Sequence, residues 1–410
     1  MDVETVVVGA GHAGLAASWA LSEQGLEHVV LEQGRVGQTW RADRWRTFRL
    51  NTARWMSRLP GQAPADAERD GFDTAEEFAD ALAAYARARR LPVCSGVGAV
   101  AVRRSGGGYV VQAADESLAT RNVIVATGFQ KLPRRPSSAA ALSPRLLQLD
   151  TATYRSADEL PDGGVLVAGG GQSGAQIAED LARGGRRVVL ATSRVGRVPR
   201  RYRGRDALAW WTESGFYDRR RDEVDDMALQ MRQPLLSGND DGHTLSLQLL
   251  HGLGVVLAGR VEAASGEEVR FDSCAERNAA FGDQVSAALC RDIDAPPPGH
   301  DPADEPVPRF GRDAPRSLRL DRESIGTVIW CCGMRPRLDA LAALGVGADV
   351  EHVEGVTAEP GLYLIGAPWL ATRKSGIIWG APEDAARIAA HIARRSAGRP
   401  TERRDGARVT

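Results

Sequence analysis

One structural unit occurs twice in this chain and limits its fold more than any other feature. In each copy a short aliphatic run breaks into a glycine-rich turn and continues as helix-forming residues with helical apolar spacing. The successive segments are 5–8, 9–14 and 15–21 in the first copy and 164–168, 169–174 and 175–183 in the second. A further aliphatic strand follows each predicted helix. The pattern predicts two strand–turn–helix–strand units, which are typical of an α/β fold.

Both turns carry the sequence G-x-G-x-x-G. The glycines are Gly9, Gly11 and Gly14 in the first turn and Gly169, Gly171 and Gly174 in the second. The first glycine permits the tight turn, the second lets the backbone approach a pyrophosphate, and the third lets the helix pack closely on the strand. A single motif is weak evidence in a chain with 45 glycines. Two copies in the required context predict two Rossmann-like dinucleotide-binding domains.

The residue at the end of the second strand differs between the two copies. Glu32 stands 18 residues after Gly14, and a carboxylate there accepts hydrogen bonds from a ribose diol and repels a 2′-phosphate. In the second copy the strand leads to Ser193 and Arg194, and a guanidinium offers that phosphate a fork of donors. The sequence therefore predicts FAD at the first site and NADPH at the second. A solvated surface arginine is the alternative interpretation of Arg194.

Composition excludes several classes of function. The chain has 52 Lys and Arg against 53 Asp and Glu, a net charge of −1 that gives no bulk attraction to nucleic acid or an anionic membrane. Its five cysteines form no Cys-x-x-Cys pair, so no structural metal is expected. Positions 1–9 lack the basic and apolar regions of a signal peptide, and no apolar stretch approaches about 20 residues. We expect a cytoplasmic protein that binds neither membranes nor nucleic acids.

Further elements are predicted along the chain. The capping box Thr74-Ala75-Glu76-Glu77 opens a predicted helix that runs to Arg90. The other predicted segments are strands at 121–128, 325–333 and 362–366, a helix at 383–395, a proline-rich loop at 294–308 and a frayed end from about Gly398. Residues 201–251 are rich in aromatic residues and arginines. This insert either caps a site or packs as helices, and we favour packing.

These motifs together resemble those of the class B flavoprotein monooxygenases. The resemblance rests on the two glycine turns with Glu32, on Ala126-Thr127-Gly128 and on the strand at 361–366. The family includes the flavin-containing monooxygenases and the plant auxin-synthesis enzymes, and the chain is also similar to bacterial potassium-transport-associated flavoproteins. The resemblance covers nearly the whole chain. It implies an α/β fold with two Rossmann-like domains, the NADPH domain being inserted in the FAD domain.

The predicted domain boundaries follow from this resemblance. The FAD-binding domain is expected at 1–157 and 335–410. The NADPH-binding domain is expected at 158–334, with a helical and loop insert around 200–310. The sequence leaves open whether the protein forms a homodimer.

The resemblance also implies site residues. Segment 36–41 is similar to the family's glycine–tryptophan segment along the flavin, and segment 50–54 to the one whose asparagine lies beside the reactive edge of the isoalloxazine. The expected flavin neighbours are Gly9, Gly11, His12, Ala13, Gly14, Glu32, Gln33, Gly37, Thr39, Trp40, Asn51, Val97, Ala126, Thr127, Gly128 and Gly366. The expected nucleotide neighbours are Gly169, Gly171, Gln172, Ser173, Gly174, Ser193, Arg194, Cys332 and Gly333. Trp40 as a core residue and Asn51 as a turn or cap residue are the alternatives.

The chain departs from the family's F-x-G-x-x-x-H fingerprint. Pro144 and Leu146 replace the phenylalanine and glycine, Asp150 replaces the histidine, and Tyr154 and Arg155 remain recognisable. The tyrosine argues against Baeyer–Villiger enzymes, which carry tryptophan there.

The adjacent cysteines Cys331 and Cys332 stand where relatives have Ala-Thr. They are either a redox-active pair or two small buried residues. The second interpretation is favoured because cysteine packs as a small hydrophobe.

The expected activity follows from the resemblance. Hydride passes from NADPH to FAD, the reduced flavin meets dioxygen and forms a C4a-(hydro)peroxide, and a small organic substrate is oxygenated at nitrogen or sulfur. Asn51 is the expected catalytic residue, as a polar uncharged donor to that intermediate. The alternatives are a Baeyer–Villiger or carbon-oxygenating relative, a nucleotide–disulfide reductase, which needs a cysteine pair near the flavin, and a non-catalytic nucleotide-sensing flavoprotein.

Overall fold

The computed structural model describes residues 2–62, 69–113, 116–224, 234–293, 314–347 and 350–397. The predicted loop at 294–308 and the predicted frayed end from Gly398 lie outside these ranges. The α-helices are α1 (His12–Glu23), α2 (Gln38–Ala42), α3 (Ala75–Ala88), α4 (Gln172–Arg183), α5 (Ala207–Glu213), α6 (Leu247–Gly252), α7 (Ala275–Ile293) and α8 (Ala381–Ala397).

The strands are named in chain order. They are β1 (Asp2–Val8), β2 (His28–Glu32), β3 (Val93–Ser95), β4 (Ala99–Ser105), β5 (Gly108–Ala113), β6 (Glu116–Val125), β7 (Leu132–Pro133), β8 (Leu147–Asp150), β9 (Gly164–Ala168), β10 (Val188–Ala191), β11 (Arg201–Tyr202), β12 (Arg205–Asp206), β13 (Val256–Ala258), β14 (Val261–Ser265), β15 (Glu268–Phe271), β16 (Ser317–Arg319), β17 (Ile325–Trp330), β18 (Met334–Arg335), β19 (His352–Val353), β20 (Val356–Thr357) and β21 (Leu362–Leu364).

Two sheets with the same central topology organise the chain. The first contains the parallel order β21-β6-β1-β2-β3, and the second contains the parallel order β8-β17-β9-β10-β13. In each sheet the strand that precedes the glycine turn lies at the centre, which explains its continuous run of buried aliphatic residues. The second sheet is built from residues that lie between β6 and β19 in the chain. This arrangement confirms the predicted α/β fold with one dinucleotide-binding unit inserted in the other.

One strand bears on the predicted domain boundary at residue 157. β8 pairs with β17 of the second sheet, with Leu149 opposite Ile329, although the sequence division assigns residues 147–150 to the first domain. The chain thus leaves the first sheet after β6 and enters the second at β8. The domain boundaries themselves stay a prediction.

Glycine is required where each helix crosses its strand. A Cβ atom on Gly14 would lie 1.9 Å from the carbonyl oxygen of Gly9, and one on Gly174 would lie 1.7 Å from that of Gly169. Gly9 and Gly169 themselves have φ values of +108° and +116°, a region that favours glycine. The two units are therefore closed by the same contact between helix and strand end.

The aromatic residues of the insert pack into a core, as favoured from the sequence, while Arg220, Arg221 and Asp222 of the same insert line a cavity. Trp211, Phe216 and Tyr217 are buried in one cluster with Met56 and Leu236. Since Met56 belongs to the short 3-10 helix Arg54–Met56 of the first unit, this cluster joins the insert to that unit.

We predict that Gly174→Ala lowers the melting temperature of the protein by several degrees, because its Cβ would overlap a backbone oxygen and force α4 away from β9. Gly171→Ala is the control. Gly171 has a φ of −74°, and its Cβ would meet no atom within 4 Å. Thermal unfolding followed by circular dichroism, without added nucleotide, compares the two variants. Equal melting temperatures would contradict the close-packing role of Gly174.

Candidate functional site

A cavity of about 540 Å³ opens at the carboxyl ends of β1, β2 and β6, and we call it the first cavity. Its size is typical of a small-molecule site, and its position follows the rule for ligand binding in open α/β sheets. The expected flavin neighbours that line it are Gly9, Gly11, His12, Ala13, Glu32, Gln33, Gly37, Thr39, Trp40, Asn51, Ala126, Thr127, Gly128 and Gly366. Their contact with a cofactor stays a prediction.

Two expected flavin neighbours lie beside the first cavity and do not line it. Gly14 packs against Gly9, as its motif position requires. The backbone nitrogen of Val97 donates to the carbonyl oxygen of Glu32 at 2.9 Å, and the following residues 98–100 line the cavity in its place. Val97 therefore binds the end of β2, and residues 98–100 form the cavity wall beside it.

The N-terminus of α1 has the features that a phosphate requires. Its N-cap residue, Gly11, provides no side-chain cap, so N–H groups of the first turn remain available. A Cβ on Gly11 would meet no atom within 4 Å, and the open space above Gly11 belongs to the first cavity. The Nε2 atom of His12 is buried and finds no hydrogen-bond partner among the described residues. Burial lowers the pKa of His12 to about 4, which leaves a neutral imidazole beside this terminus.

Glu32 is held in place by two backbone donors. Its carboxylate accepts from the nitrogen of Ala10 at 2.8 Å and from that of Gly34 at 2.9 Å. Each carboxylate oxygen keeps a further lone pair. Glu32 is nearly buried and lines the first cavity, so it can accept from a ribose diol without moving. The first cavity thus fits a dinucleotide that carries two ribose hydroxyls.

Trp40 packs against the apolar core and also lines the first cavity, so its contact with a flavin stays a prediction. Its ring packs edge to face on Phe78 at 5.1 Å between centroids. The ring centroids of Phe48 and Trp40 lie 6.2 Å apart. Phe48 and Leu50 line the first cavity beside Trp40 and form one wall with it. The guanidinium of Arg44 lies over both rings, 4.9 Å from the centroid of Trp40 and 5.5 Å from that of Phe48, so this aromatic wall carries one cation.

Asn51 lies in the first cavity and is held by the second unit. The Nε2 atom of Gln176 donates to its Oδ1 atom at 3.0 Å. The Nη1 atom of Arg200 donates to its carbonyl oxygen at 2.7 Å. Arg200 is 1% exposed and forms an ion pair with Asp206 at 2.7 Å. Asn51 is therefore fixed at both its backbone and its side chain, which a simple turn residue does not require.

A second, larger cavity of about 1960 Å³ lies at the carboxyl ends of β9, β10 and β17, and we call it the second cavity. The expected nucleotide neighbours that line it are Gly169, Gly171, Gln172, Ser173, Ser193, Arg194, Cys332 and Gly333. Gly174 packs against Gly169 and does not line the cavity. The N-terminus of α4 has no side-chain cap, and the space above Gly171 is open. The second cavity therefore shares with the first an uncapped helix N-terminus and open space above the second glycine of the motif.

The rim of the second cavity is rich in arginine. The charged residues that line it are Arg134, Arg194, Arg220, Arg221, Arg260, Asp222, Glu351 and Glu354. Arg194 is exposed, and its guanidinium carbon lies 4.5 Å from the ring centroid of Phe281. This cation–π contact restrains the guanidinium of Arg194 at the rim of the second cavity, which Ser193 also lines.

The adjacent cysteines differ in exposure, which corrects the expectation of two buried residues. β17 ends at Trp330, so Cys332 extends past the strand and is exposed in the second cavity. Cys331 is less exposed, and burial raises its pKa to about 12. Burial also raises the pKa of Cys332, with a smaller contribution from Asp150. Both thiols are therefore protonated at neutral pH and are poor nucleophiles.

The two cavities adjoin each other. Phe129, Gln130 and Pro368 line both of them. A ligand that reached this boundary from one cavity would face the other cavity.

The remaining fingerprint residues support the structure. The hydroxyl of Tyr154 donates to Asp180 at 2.5 Å, and burial raises the pKa of this tyrosine. Asp150, which replaces the family's histidine, accepts from Arg135 at 2.8 and 2.7 Å. Neither Asp150 nor Tyr154 lines either cavity.

Sequence reasoning missed Gln176, Arg200 and Lys131. The spacing of Gln172, Gln176 and Asp180 on a predicted helix indicates a polar stripe and offered a way to find Gln176. Lys131 is one of two lysines in a chain rich in arginine. It lines the first cavity, and its Nζ atom pairs with Asp43 at 2.7 Å. Arg200 had no distinguishing signal among its arginine neighbours.

Within the described ranges, no helix is both long and apolar enough to cross a membrane. In the same part of the chain, no group of three or more His, Cys, Asp or Glu side chains is arranged to hold a metal ion.

The family profile described as pyridine nucleotide-disulphide oxidoreductase matches residues 6–231. The chain belongs to this oxidoreductase family. It is 25% identical over 386 residues to the uncharacterized oxidoreductase CzcO of Bacillus subtilis (strain 168), covering 93% of this chain and 96% of that protein. It is also 31% identical over 192 residues to the indole-3-pyruvate monooxygenase YUCCA1 of Oryza sativa subsp. japonica, covering 44% and 45% of the two chains.

Solved structures show the same fold. The flavin-containing monooxygenase from Stenotrophomonas maltophilia matches with a TM-score of 0.66 and 19% identity, over 96% of this chain and 99% of that one. The bacillithiol disulfide reductase from Staphylococcus aureus matches with a TM-score of 0.61 and 12% identity, over 96% and 99%. These matches and the relatives confirm the predicted resemblance to flavin-containing monooxygenases and the predicted fold class.

We predict that Gly11→Val removes FAD from the folded protein, because its side chain enters the open space of the first cavity. The matched variant is Gly171→Val, which places the same side chain at the equivalent position of the second cavity. It should retain FAD and lose affinity for NADPH. Visible absorbance of the purified proteins measures bound flavin, and circular dichroism checks the fold. Stoichiometric FAD in Gly11→Val would overturn the assignment of the first cavity.

Proposed function

We propose that this protein is an FAD-dependent monooxygenase that uses NADPH and dioxygen to oxygenate a small organic substrate at nitrogen or sulfur. The balanced reaction converts NADPH, a proton, dioxygen and the substrate into NADP⁺, water and the oxygenated substrate. One observation carries the proposal. The two cavities adjoin at Phe129, Gln130 and Pro368, and a fixed, uncharged amide at Asn51 faces the first cavity.

The first cavity would hold FAD. The N-terminus of α1 would bind the pyrophosphate, Gly11 leaving room for it, and Glu32 would accept from the ribose diol. When bound, FAD supplies the redox chemistry: it takes hydride from NADPH and activates dioxygen. The part of the protein in that chemistry is to orient the ring, exclude water and hold protons in place.

The walls of the first cavity suit those tasks. Trp40, Phe48 and Leu50 form an apolar side, and Ile377 and Ile378 line the cavity as well. Water exclusion strengthens each hydrogen bond that remains in the site. Asn51 supplies such a bond, because Gln176 occupies its Oδ1 atom and Nδ2 has no partner among the described residues. The Asn51 amide is thus a neutral donor that neither adds nor removes a proton at neutral pH.

The second cavity would hold NADPH. The N-terminus of α4 would bind the pyrophosphate, and Arg194 with Ser193 would bind the 2′-phosphate. The excess of arginine over acidic residues on its rim favours a ligand with several negative charges.

The positions of the cysteines argue against a disulfide reductase. All five lie in the described part of the chain, and none of them lines the first cavity. Cys332 faces the second cavity instead, with a raised pKa. A dithiol that exchanges electrons with a flavin must contact the flavin as a thiolate, so the chain lacks that part of the machinery.

We predict that Arg194→Ala raises the KM for NADPH about tenfold and leaves the KM for NADH nearly unchanged. A charge-assisted hydrogen bond to phosphate contributes roughly 1.5–3 kcal/mol, and NADH lacks that phosphate. Steady-state oxidation of each coenzyme measures the effect. Arg270→Ala is the control, since Arg270 is exposed on β15 and lines neither cavity. Equal weakening of both coenzymes would show that Arg194 is structural.

We predict that Asn51→Ala keeps FAD bound and is reduced by NADPH at a near-normal rate, yet releases hydrogen peroxide in place of product. Losing one hydrogen bond in a dry site costs about 1–3 kcal/mol, which shifts this partition by roughly one to two orders of magnitude. NADPH consumed, peroxide released and sulfoxide formed from thioanisole are measured in parallel. Asn122→Ala is the control, because Asn122 is a buried asparagine of β6 outside both cavities. Unchanged coupling in Asn51→Ala would remove this residue from the mechanism.

A further inference from the structure

One face of α4 carries three polar side chains at four-residue spacing, Gln172, Gln176 and Asp180, which we call the α4 polar stripe. Each contacts another part of the protein. Gln172 lines the second cavity and accepts from the backbone nitrogen of Leu236 at 3.0 Å. Asp180 accepts from Thr47 and from Tyr154, both at 2.5 Å. Gln176 and Asp180 thus dock α4 of the second unit on segment 47–51 of the first, whereas Gln172 bonds within the second unit.

Gln176 lies at the centre of this stripe and is 3% exposed. Its single hydrogen bond within the described residues goes from Nε2 to the Oδ1 atom of Asn51, at 3.0 Å. An amide side chain has one accepting and one donating end. The bond from Gln176 requires the amide orientation in which Oδ1 of Asn51 faces Gln176. In that orientation the Asn51 N–H groups remain available to the first cavity. A carboxylate or an apolar group at position 176 would not select it.

The backbone of Asn51 is restrained separately. Arg200 donates to its carbonyl oxygen at 2.7 Å, and its guanidinium carbon lies 4.6 Å from the ring centroid of Phe72. Loss of Gln176 therefore leaves the Asn51 backbone in place and frees only rotation of its amide. Because different residues restrain the backbone and the side chain of Asn51, the effect of Gln176 on the side chain can be measured by itself.

We propose that Gln176 is the positioning residue that sets the donor orientation of Asn51, so that the nucleotide-binding helix α4 controls the hydrogen bond offered at the flavin site. The inference rests on the proposed function. The N-terminus of α4 borders the second cavity and Gln176 follows one turn later. The same rigid helix thus connects the predicted NADPH site to the residue that is expected to protect the oxygenating step.

The test uses the holoenzyme without any organic substrate. Under these conditions NADPH, a proton and dioxygen give NADP⁺ and hydrogen peroxide. A faster rate of peroxide release therefore indicates a site that protects the oxygenating step less well. We expect Gln176→Ala to raise that rate about tenfold, the factor for ~1.4 kcal/mol. Gln176→Glu, which keeps the size but accepts from Asn51 in place of donating to it, should do the same. The double variant Asn51→Ala/Gln176→Ala should release peroxide no faster than Asn51→Ala.

A second readout is independent of turnover. The absorption spectrum of the bound, oxidised flavin should shift in Gln176→Ala and Asn51→Ala in the same direction, and the dissociation constant for FAD should stay within about twofold of the wild-type value, because one hydrogen bond is exchanged and no phosphate contact is lost. Gln248→Ala is the matched control. Gln248 lies on α6, which packs against α4. Its side chain is 4% exposed and donates to Asp283 at 2.9 Å. It should leave both the spectrum and the peroxide rate unchanged.

The outcomes separate this inference from the proposed function. Faster peroxide release in Asn51→Ala with a wild-type rate in both Gln176 variants would overturn the role of Gln176 and leave the proposed function in place. A double variant about tenfold faster than Asn51→Ala would show that Gln176 acts by another route, and the inference would fall. A wild-type rate in Asn51→Ala would remove Asn51 from the mechanism and overturn this inference with it. A bound flavin that NADPH does not reduce under anaerobic conditions would overturn the proposed function.

Discussion

The contact that the rest of the structure depends on is the approach of a helix to the end of its strand at a glycine. A Cβ on Gly14 or Gly174 would overlap the carbonyl oxygen of the first glycine of its motif. Because no side chain separates them, α1 and α4 begin directly above the strand ends, with uncapped N-termini. The same contact that closes each unit therefore leaves an uncapped helix N-terminus at each cavity, an arrangement that favours an anion. The two cavities follow from one backbone constraint used twice.

The second constraint is the attachment of one unit to the other. The inserted unit is covalently joined to the first sheet at both ends, but its orientation depends on contacts such as the α4 polar stripe and the buried aromatic cluster around Trp211. Arg200 adds a buried ion pair with Asp206 and a bond to the backbone of Asn51. Such a pair is costly to break from one side, because the other charge would remain buried without a partner. The contacts that orient the two units thus end at the residue expected to take part in catalysis.

The sequence predicts much of the fold because its strongest signals are local. The glycine motifs, the strand that the structure gives as His28–Glu32 and the capping box at Thr74 depend on neighbours within a few positions. The closing helix begins at Ala381 and ends at Ala397, slightly beyond the predicted bounds of 383–395. The features that the sequence did not reveal depend on pairing between distant residues. β8 joins the second sheet through a strand nearly two hundred positions later, and Gln176 meets Asn51 across 125 positions. The exposure of Cys332 depends on where β17 stops, which hydrophobic pattern alone leaves open.

The central claim is that the two adjoining cavities pass electrons from NADPH through a flavin to dioxygen. Anaerobic titration of the FAD-loaded protein with NADPH, followed by admission of air, tests it most directly. The account predicts that about one equivalent of NADPH per flavin bleaches the visible flavin absorbance and that air alone restores it. A flavin that NADPH does not bleach, or one that stays reduced in air until a disulfide is added, would contradict the account.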